Sequence, residues 1–214
     1  MLRLTLDTNS IIDAAQAQPR GPQVDELVNL ARQGRVGLWI TEAFTVDQEQ
    51  APADKHQRNL AWLSARPTIA RIPGPRRVGY SGLEGPDVFT EADNGAADTA
   101  LRELLLPGRL QPGRLDEHDP ALLALNRRKI TDVHHLTAHR MAGHDAFVTS
   151  DHDDMLRKRQ AIRHRTGIVI VDPRRSRPDG TPPPHLITRC FPKGACQPVT
   201  RPDVCSWTLC VGDG

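Results

Sequence analysis

The chain has 214 residues, 38% hydrophobic and 4% aromatic, with 28 Lys and Arg against 26 Asp and Glu for a formal net charge of +2. That length holds one α/β domain with additions or two small domains, and the low apolar fraction argues that part of the chain stays outside any core. The charge balance does not mark a polyanion partner, no apolar run reaches 18 residues, and Asp7 interrupts any signal-peptide core, so a cytoplasmic protein with no membrane span is expected.

Leu2, Leu4 and Leu6 alternate with Arg3 and Thr5, which predicts a short strand ending at Asp7. Thr8 and Asn9 follow, and Ile11-Ile12 open a helix. A carboxylate past the first strand lies where open α/β sheets hold ligands. Capping of the following helix is the competing role. Gln23 to Arg32, with Pro22 near its start and Gly34 beyond its end, has helical spacing, and Val36 to Thr41 is a compact apolar strand. Strand, helices and strand make a βαβ unit, so the sheet should be mostly parallel. Helices are expected over Glu42 to Gln50 and Ala53 to Ala65, separated by Pro52, then a short strand over Thr68 to Ile72. Pro73 to Pro86 should be a surface loop carrying Arg76-Arg77. Further helices are predicted over Asp93 to Leu106, Pro120 to Arg128 and Thr131 to Met141, with Pro107 to Gly113 as a linker. Ala146 to Thr149 is a third core strand, Met155 to His164 a basic helix, and Gly167 to Val171 a last, fully buried strand.

The expected fold is therefore α/β, a mostly parallel sheet sandwiched between helices over residues 1–172. Residues 173–214 form a Pro- and Arg-rich extension with little periodicity, expected to be poorly ordered. All four cysteines, Cys190, Cys196, Cys205 and Cys210, lie there. They lack the paired C-x-x-C spacing of a zinc ribbon, so unligated thiols are expected, with a loose zinc knuckle as the alternative.

Acids follow three of the predicted strands: Asp7 the first, Glu42 and Asp47 the second, Asp151 with Asp153 and Asp154 the third, while Asp132 begins the helix feeding that third strand. In a parallel sheet these positions gather along one edge. Carboxylates gathered so repel each other unless a cation sits among them, and Mg²⁺ or Mn²⁺ suits all-oxygen ligands. Such a centre hydrolyses phosphodiesters. The competing reading of each acid alone is a cap or a solvated charge.

Leu4-Thr-Leu-Asp7-Thr8-Asn9 at the start, with the block Thr131-Asp132 through Phe147-Val-Thr149-Ser-Asp151, resembles the PIN-domain ribonucleases. The resemblance covers about Met1 to Val171 and implies a three-layer α/β/α sandwich and a metal-dependent endoribonuclease leaving 5′-phosphate and 3′-hydroxyl ends. By that resemblance Asp7, Asp132 and Asp151 match the metal-binding acids, and Asn9 and Thr149 the polar residues that position them; Asp153, close behind Asp151, is a further supporting candidate. The remaining acid is Asp47 or Glu42, and Asp47 is the favoured of the two. The resemblance also implies a toxin of a toxin–antitoxin pair, held by a small antitoxin and often a homodimer. Asp154 departs from it, standing where the family often has an aromatic residue, and the stretch from Arg66 to Pro120 is longer than in compact toxins.

Arg157, Lys158, Arg159 and Arg163 form a basic segment suited to holding RNA phosphates beside such a site, or equally a solvated helix face. Arg76-Arg77 and Arg127-Arg128-Lys129 are weaker candidates. His135 and His139 have zinc-like spacing without an HExxH or cysteine partner, so with His134, His144 and His152 they are expected as surface or supporting residues, His152 nearest the site. Two other classes compete with the nuclease: a catalytically silent PIN-like module binding RNA or protein, and a haloacid-dehalogenase-type phosphatase. The phosphatase needs a second Asp where Asn9 stands.

Overall fold

The computed structural model describes residues 1–49, 51–76, 92–106, 108–110 and 118–173. The chain divides into two units, Met1–Pro173 and Arg174–Gly214. The expectations for the C-terminal extension and its cysteines, and for most of the long Pro/Gly loop, lie outside the described residues.

The described residues form one five-stranded sheet in the order β3-β2-β1-β4-β5, built from β1 (Leu2–Leu6), β2 (Val36–Thr41), β3 (Ile69–Ile72), β4 (Ala146–Val148) and β5 (Ile170–Val171). Every pairing is parallel, with Leu4 opposite Leu38 on one side and Ala146 on the other. The first part of the chain winds outward from β1 through α1 (Thr8–Ala15), α2 (Gly21–Arg32), β2, α3 (Ala43–Glu49) and α4 (Ala53–Ser64) to β3. It then passes through α5 (Ala92–Leu105) and α6 (Pro120–Met141), returns to the other side of β1 as β4, and ends in α7 (Arg159–Thr166) and β5. The reversal leaves a topological switch point between β1 and β4, where α/β sheets open a crevice past their strand ends.

Side chains alternate across each strand, and they feed two cores. Leu4, Leu6, Leu38, Ile40, Ala146 and Val148 pack with Ile11, Val24, Val28, Phe44 and Trp62 on one face. Phe147 and Ile170 pack with Leu101, Leu105, Val133, Leu136, Met155 and Ile162 on the other. Helices therefore cover both faces, which makes the sandwich three layers deep. Each fully buried Leu, Ile or Phe contributes roughly 1.5–3 kcal/mol.

Two expectations are corrected. The two helices predicted on either side of Arg127-Arg128-Lys129 are one helix of 22 residues, α6. Its buried stripe runs Leu122, Lys129, Val133, Leu136, so the charged triplet that looks like an interruption keeps the period, with Lys129 turned inward. Asp119 caps the start, its carboxylate accepting from the N–H groups of Ala121 and Leu122 at 2.9 and 3.1 Å, with Pro120 behind it. The basic helix α7 begins at Arg159 rather than Met155. The Asp151 carboxylate takes the N–H groups of Asp153 and Asp154 at 3.0 and 3.1 Å and holds the intervening chain in turns. Gly167 closes α7 at φ +75°, a left-handed conformation that favours glycine.

Candidate active site

Asp7 occupies the position before α1 where a capping residue would sit, but its side chain makes no capping bond. It is 3% exposed and turns across the switch point instead. Thr149, just past β4, donates its hydroxyl to Asp7 Oδ2 at 2.7 Å, and Asn9 Nδ2 donates to the same oxygen at 3.3 Å. The Thr149 hydroxyl oxygen also accepts the N–H of Asp151 at 3.0 Å. One buried hydroxyl thus links the acids that follow the two central strands. The backbone adds a second tie, from the Asp7 N–H to the Val148 carbonyl at 2.9 Å.

Asp132 lies in the fourth turn of α6, and the charges of Asp7 and Asp151 act on it. Those of Asp47 and Asp151 act on Asp7. Burial, with those neighbours adding, holds the Asp7 carboxyl above the usual range against the opposing His135 and Thr149. Burial likewise pushes Asp132 up to about 7, Asp7 and Asp151 adding and Lys129 opposing. Carboxyl groups held up in this way are what crowded acids at a strand edge should show.

Of the two acids after β2, Asp47 joins this field and Glu42 does not. Glu42 turns to the outer strand, where Arg71 Nη1 donates to its Oε2 at 3.3 Å. Asp47 Oδ2 lies 3.0 Å from His135 Nε2. The same ring nitrogen is 3.2 Å from the Thr8 hydroxyl, and Nδ1 shares a hydrogen bond of 2.6 Å with the Thr41 hydroxyl. His135 is 1% exposed. Burial works to lower its pKa, yet the bonded Asp47 carboxylate, with Asp7 and Asp132 beyond, outweighs it and raises the value. An imidazolium in that place donates from both nitrogens, to Asp47 and to Thr41.

The histidines were expected at the surface or in support of the site, and for three of them the surface alternative is corrected. His134, His135 and His139 are buried beneath α6, because that helix lies across a sheet face lined by Thr5, Thr41, Phe147 and Thr149. His139 Nδ1 and His144 Nδ1 each lie 2.9 Å from the Thr5 hydroxyl, and His144 stacks on Trp39. His152 pairs with Asp172 at 3.2 Å. Spacing of four along a helix cannot distinguish an inward stripe from a metal pair, and the partners that identify His135 lie on α1, β2 and α3.

Lys129 is a second group that sequence reasoning left outside the site. It is 6% exposed, and its ammonium donates to Asp132 Oδ2 at 3.0 Å and also to Asp154. Burial works to lower its pKa, but those two carboxylates raise it. Asp154, where an aromatic residue was expected by resemblance, is a salt-bridge hub. Lys158 Nζ donates to its Oδ1 at 3.1 Å, Arg157 approaches to 3.9 Å, and against burial the lysines hold its pKa down. Asp153 is exposed and supports Asp151 through its backbone N–H. Arg159 and Arg163 stand on α7 beyond this hub. Arg20, which no sequence signal marked, donates to the Ser150 carbonyl at 2.9 Å and anchors the chain just before Asp151.

Asp7, Asp132 and Asp151 offer only hard oxygen ligands, and their mutual repulsion is the kind a divalent cation relieves, so the donor chemistry fits Mg²⁺ or Mn²⁺. As the side chains stand, no three His, Cys, Asp or Glu groups among the described residues are placed to hold a metal ion together. The Lys129 ammonium already supplies positive charge to Asp132, and His135 hydrogen-bonds Asp47.

No helix among the described residues is long and apolar enough to cross a membrane. No family model matches the chain, and no curated protein does. Among solved structures the chain is similar to VapBC2 from Rickettsia felis bound to a DNA fragment from its promoter, at 11% identity and a TM-score of 0.43, covering 80% of this chain and 98% of that one. A likeness that loose carries no argument; the fold rests on the strand order and the two cores, and the site on its own side chains.

Proposed function

We propose that this chain is a metal-dependent endoribonuclease of PIN type. The observation that carries the proposal is the buried Asp7 carboxylate at the β1/β4 switch point, held by the Thr149 hydroxyl that also takes the Asp151 N–H, with the charges of Asp47 and Asp151 acting on Asp7 and those of Asp7 and Asp151 on Asp132. It joins the two stretches on which the resemblance to the PIN-domain ribonucleases rests.

In this reading Asp7, Asp132 and Asp151 would hold one Mg²⁺ or Mn²⁺. Bound there, the cation would supply charge stabilisation for the phosphodiester and activation of water. The chain's own residues orient that centre. Thr149 and Asn9 fix the Asp7 carboxylate, and Thr149 also fixes the backbone at Asp151. His135, held by Thr8 and Thr41, fixes Asp47. Arg157, Lys158, Arg159 and Arg163 supply phosphate contacts that position RNA without reading its sequence. In-line hydrolysis would leave 5′-phosphate and 3′-hydroxyl ends. Following the same resemblance, we assign the protein to the cytoplasm as the toxin of a toxin–antitoxin pair, with a small antitoxin and a second copy of itself as partners.

One observation favours a catalytically silent module that binds RNA or protein: the protein's own Lys129 already sits on Asp132. Cleavage of a mixed panel of structured and single-stranded RNAs separates the two readings, with Mg²⁺, Mn²⁺ or EDTA and with wild type, Asp7→Asn and Asp132→Asn. The nuclease reading expects cutting that needs the metal and disappears in both variants. Folded wild-type protein that binds RNA from a cellular pool and cuts none of it identifies the silent module.

A further inference from the structure

We propose that Lys129 is a resident cation that a divalent metal displaces from Asp132, so that its ammonium sets how tightly the acid cluster binds metal. The inference rests on the nuclease reading and deepens it.

Three features of the geometry support it. The ammonium is placed where a cation is needed, 3.0 Å from Asp132 Oδ2, at the end of a side chain that α6 carries on its buried stripe one turn before Asp132. Burying an ammonium costs several kcal/mol of hydration unless carboxylates repay it, and here Asp132 and Asp154 do so. The side chain also has a second anchor, since it donates to Asp154 as well. It can therefore release Asp132 and keep a carboxylate partner, without being driven into apolar surroundings. Finally, Asp154 is tied to the acid site from the other side: its N–H donates to Asp151 Oδ1 at 3.1 Å, and its carboxylate accepts from Lys158 at 3.1 Å. Lys129 thus bridges the acid on α6 to the turn that carries Asp151.

The consequence is electrostatic competition. A unit positive charge on the carboxylate that a divalent cation would share opposes the cation at close range, where the effective dielectric is far below that of water. A metal ion binding with Asp132 must move that ammonium toward Asp154. Removing the charge without removing the stem should tighten metal binding, whereas keeping the charge in another form should not. Lys129→Met takes away the ammonium and leaves an apolar chain of similar length, and Lys129→Arg keeps the charge.

The test is Mn²⁺ binding to the full chain, followed by the loss of the free-ion electron paramagnetic resonance signal, for wild type, Lys129→Met, Lys129→Arg, Asp7→Asn and Asp132→Asn. The proposal expects Mn²⁺ affinity to rise at least ~10-fold in Lys129→Met. It expects Lys129→Arg to stay near wild type and both Asp variants to lose binding. Equal or weaker binding in Lys129→Met, with binding still lost in Asp7→Asn, overturns the role of Lys129 and leaves the metal reading intact. Binding that neither Asp variant disturbs overturns the metal reading, and this proposal with it. Should Lys129→Met fail to fold, the wild type supplies the answer through nuclear magnetic resonance of ¹³Cε-labelled lysines during Mg²⁺ titration. The Lys129 signal, assigned by its absence from Lys129→Arg, must shift with the same midpoint as metal binding. A signal that stays still through saturation refutes displacement.

Discussion

His139 should make the fold acid-labile through a buried ring, and a non-titrating variant separates the effect from that of the central carboxyls. The imidazole packs edge-on against Phe147, 5.6 Å between ring centres, and Nδ1 meets the Thr5 hydroxyl. Burial lowers its pKa to about 3, with His144 adding and Asp145 opposing. In the unfolded chain the value returns to the ordinary 6.5. Protons therefore bind the unfolded state preferentially as pH falls below 6.5, and stability is lost from there down toward pH 3. Between pH 7.5 and 5 the loss from this ring is about 2 kcal/mol, and the figure is set by the unfolded value alone because the folded one lies well below 5. Asp7 and Asp132 act in the opposite sense. Their carboxyls are held up in the fold, so each adds stability as pH falls through its folded value, which for Asp132, at about 7, lies within that range, and the wild-type profile should be flatter than His139 alone would make it. His139→Asn keeps a polar atom near Thr5 and does not titrate. Urea unfolding of wild type and variant at pH 7.5 and 5, without divalent cations, should show the variant gaining about 2 kcal/mol relative to wild type on acidification. The contribution of the carboxyls cancels in that difference. Identical pH dependence in the two proteins would refute a buried, neutral His139.

Thr149→Val keeps the shape of the side chain but removes the donor to Asp7 Oδ2 and the acceptor of the Asp151 N–H. RNA cleavage should fall roughly 10–100-fold with little change in far-ultraviolet circular dichroism. Gly74→Ala should lower stability by about 1–3 kcal/mol in chemical unfolding, because a Cβ there would lie 1.7 Å from His134 Nε2 on a fully buried ring. Asp119→Ala removes the cap of α6 and should cost about 1 kcal/mol, seen as a fall of a few degrees in Tm; an unchanged Tm would mean the cap is replaced by water.

How much of this was legible in the sequence depended on whether the partners of a residue were local. Leu2, Leu4 and Leu6 announce β1 because alternation is a property of the strand itself, and the apolar run from Val36 to Thr41 announces β2 in the same way. Asp7 and Asp151 drew notice because strand ends in a parallel sheet share one edge, whereas Asp132, inside α6, was singled out by the resemblance to the PIN-domain ribonucleases. Asp47 could be favoured over Glu42 only by its distance along the helix, since what distinguishes them is remote in sequence: Arg71 on β3 bonds Glu42, and His135 on α6 bonds Asp47. Lys129 misled twice for one reason. A lysine on a buried stripe looks like a break in a helix until its partners, Asp132 and the distant Asp154, are known. The late start of α7 was likewise hidden in the Asp151 carboxylate, which takes two backbone N–H groups that a helix could have used differently.

The most direct test of the account is the chemistry of the ends left on RNA cut by the wild-type protein with Mn²⁺. The account predicts 5′-phosphate and 3′-hydroxyl ends, cutting that EDTA stops, and no cutting by Asp151→Asn. Fragments ending in a 2′,3′-cyclic phosphate, formed equally well in EDTA, would contradict it and move the chemistry from the acids to side chains such as His135 and Lys129.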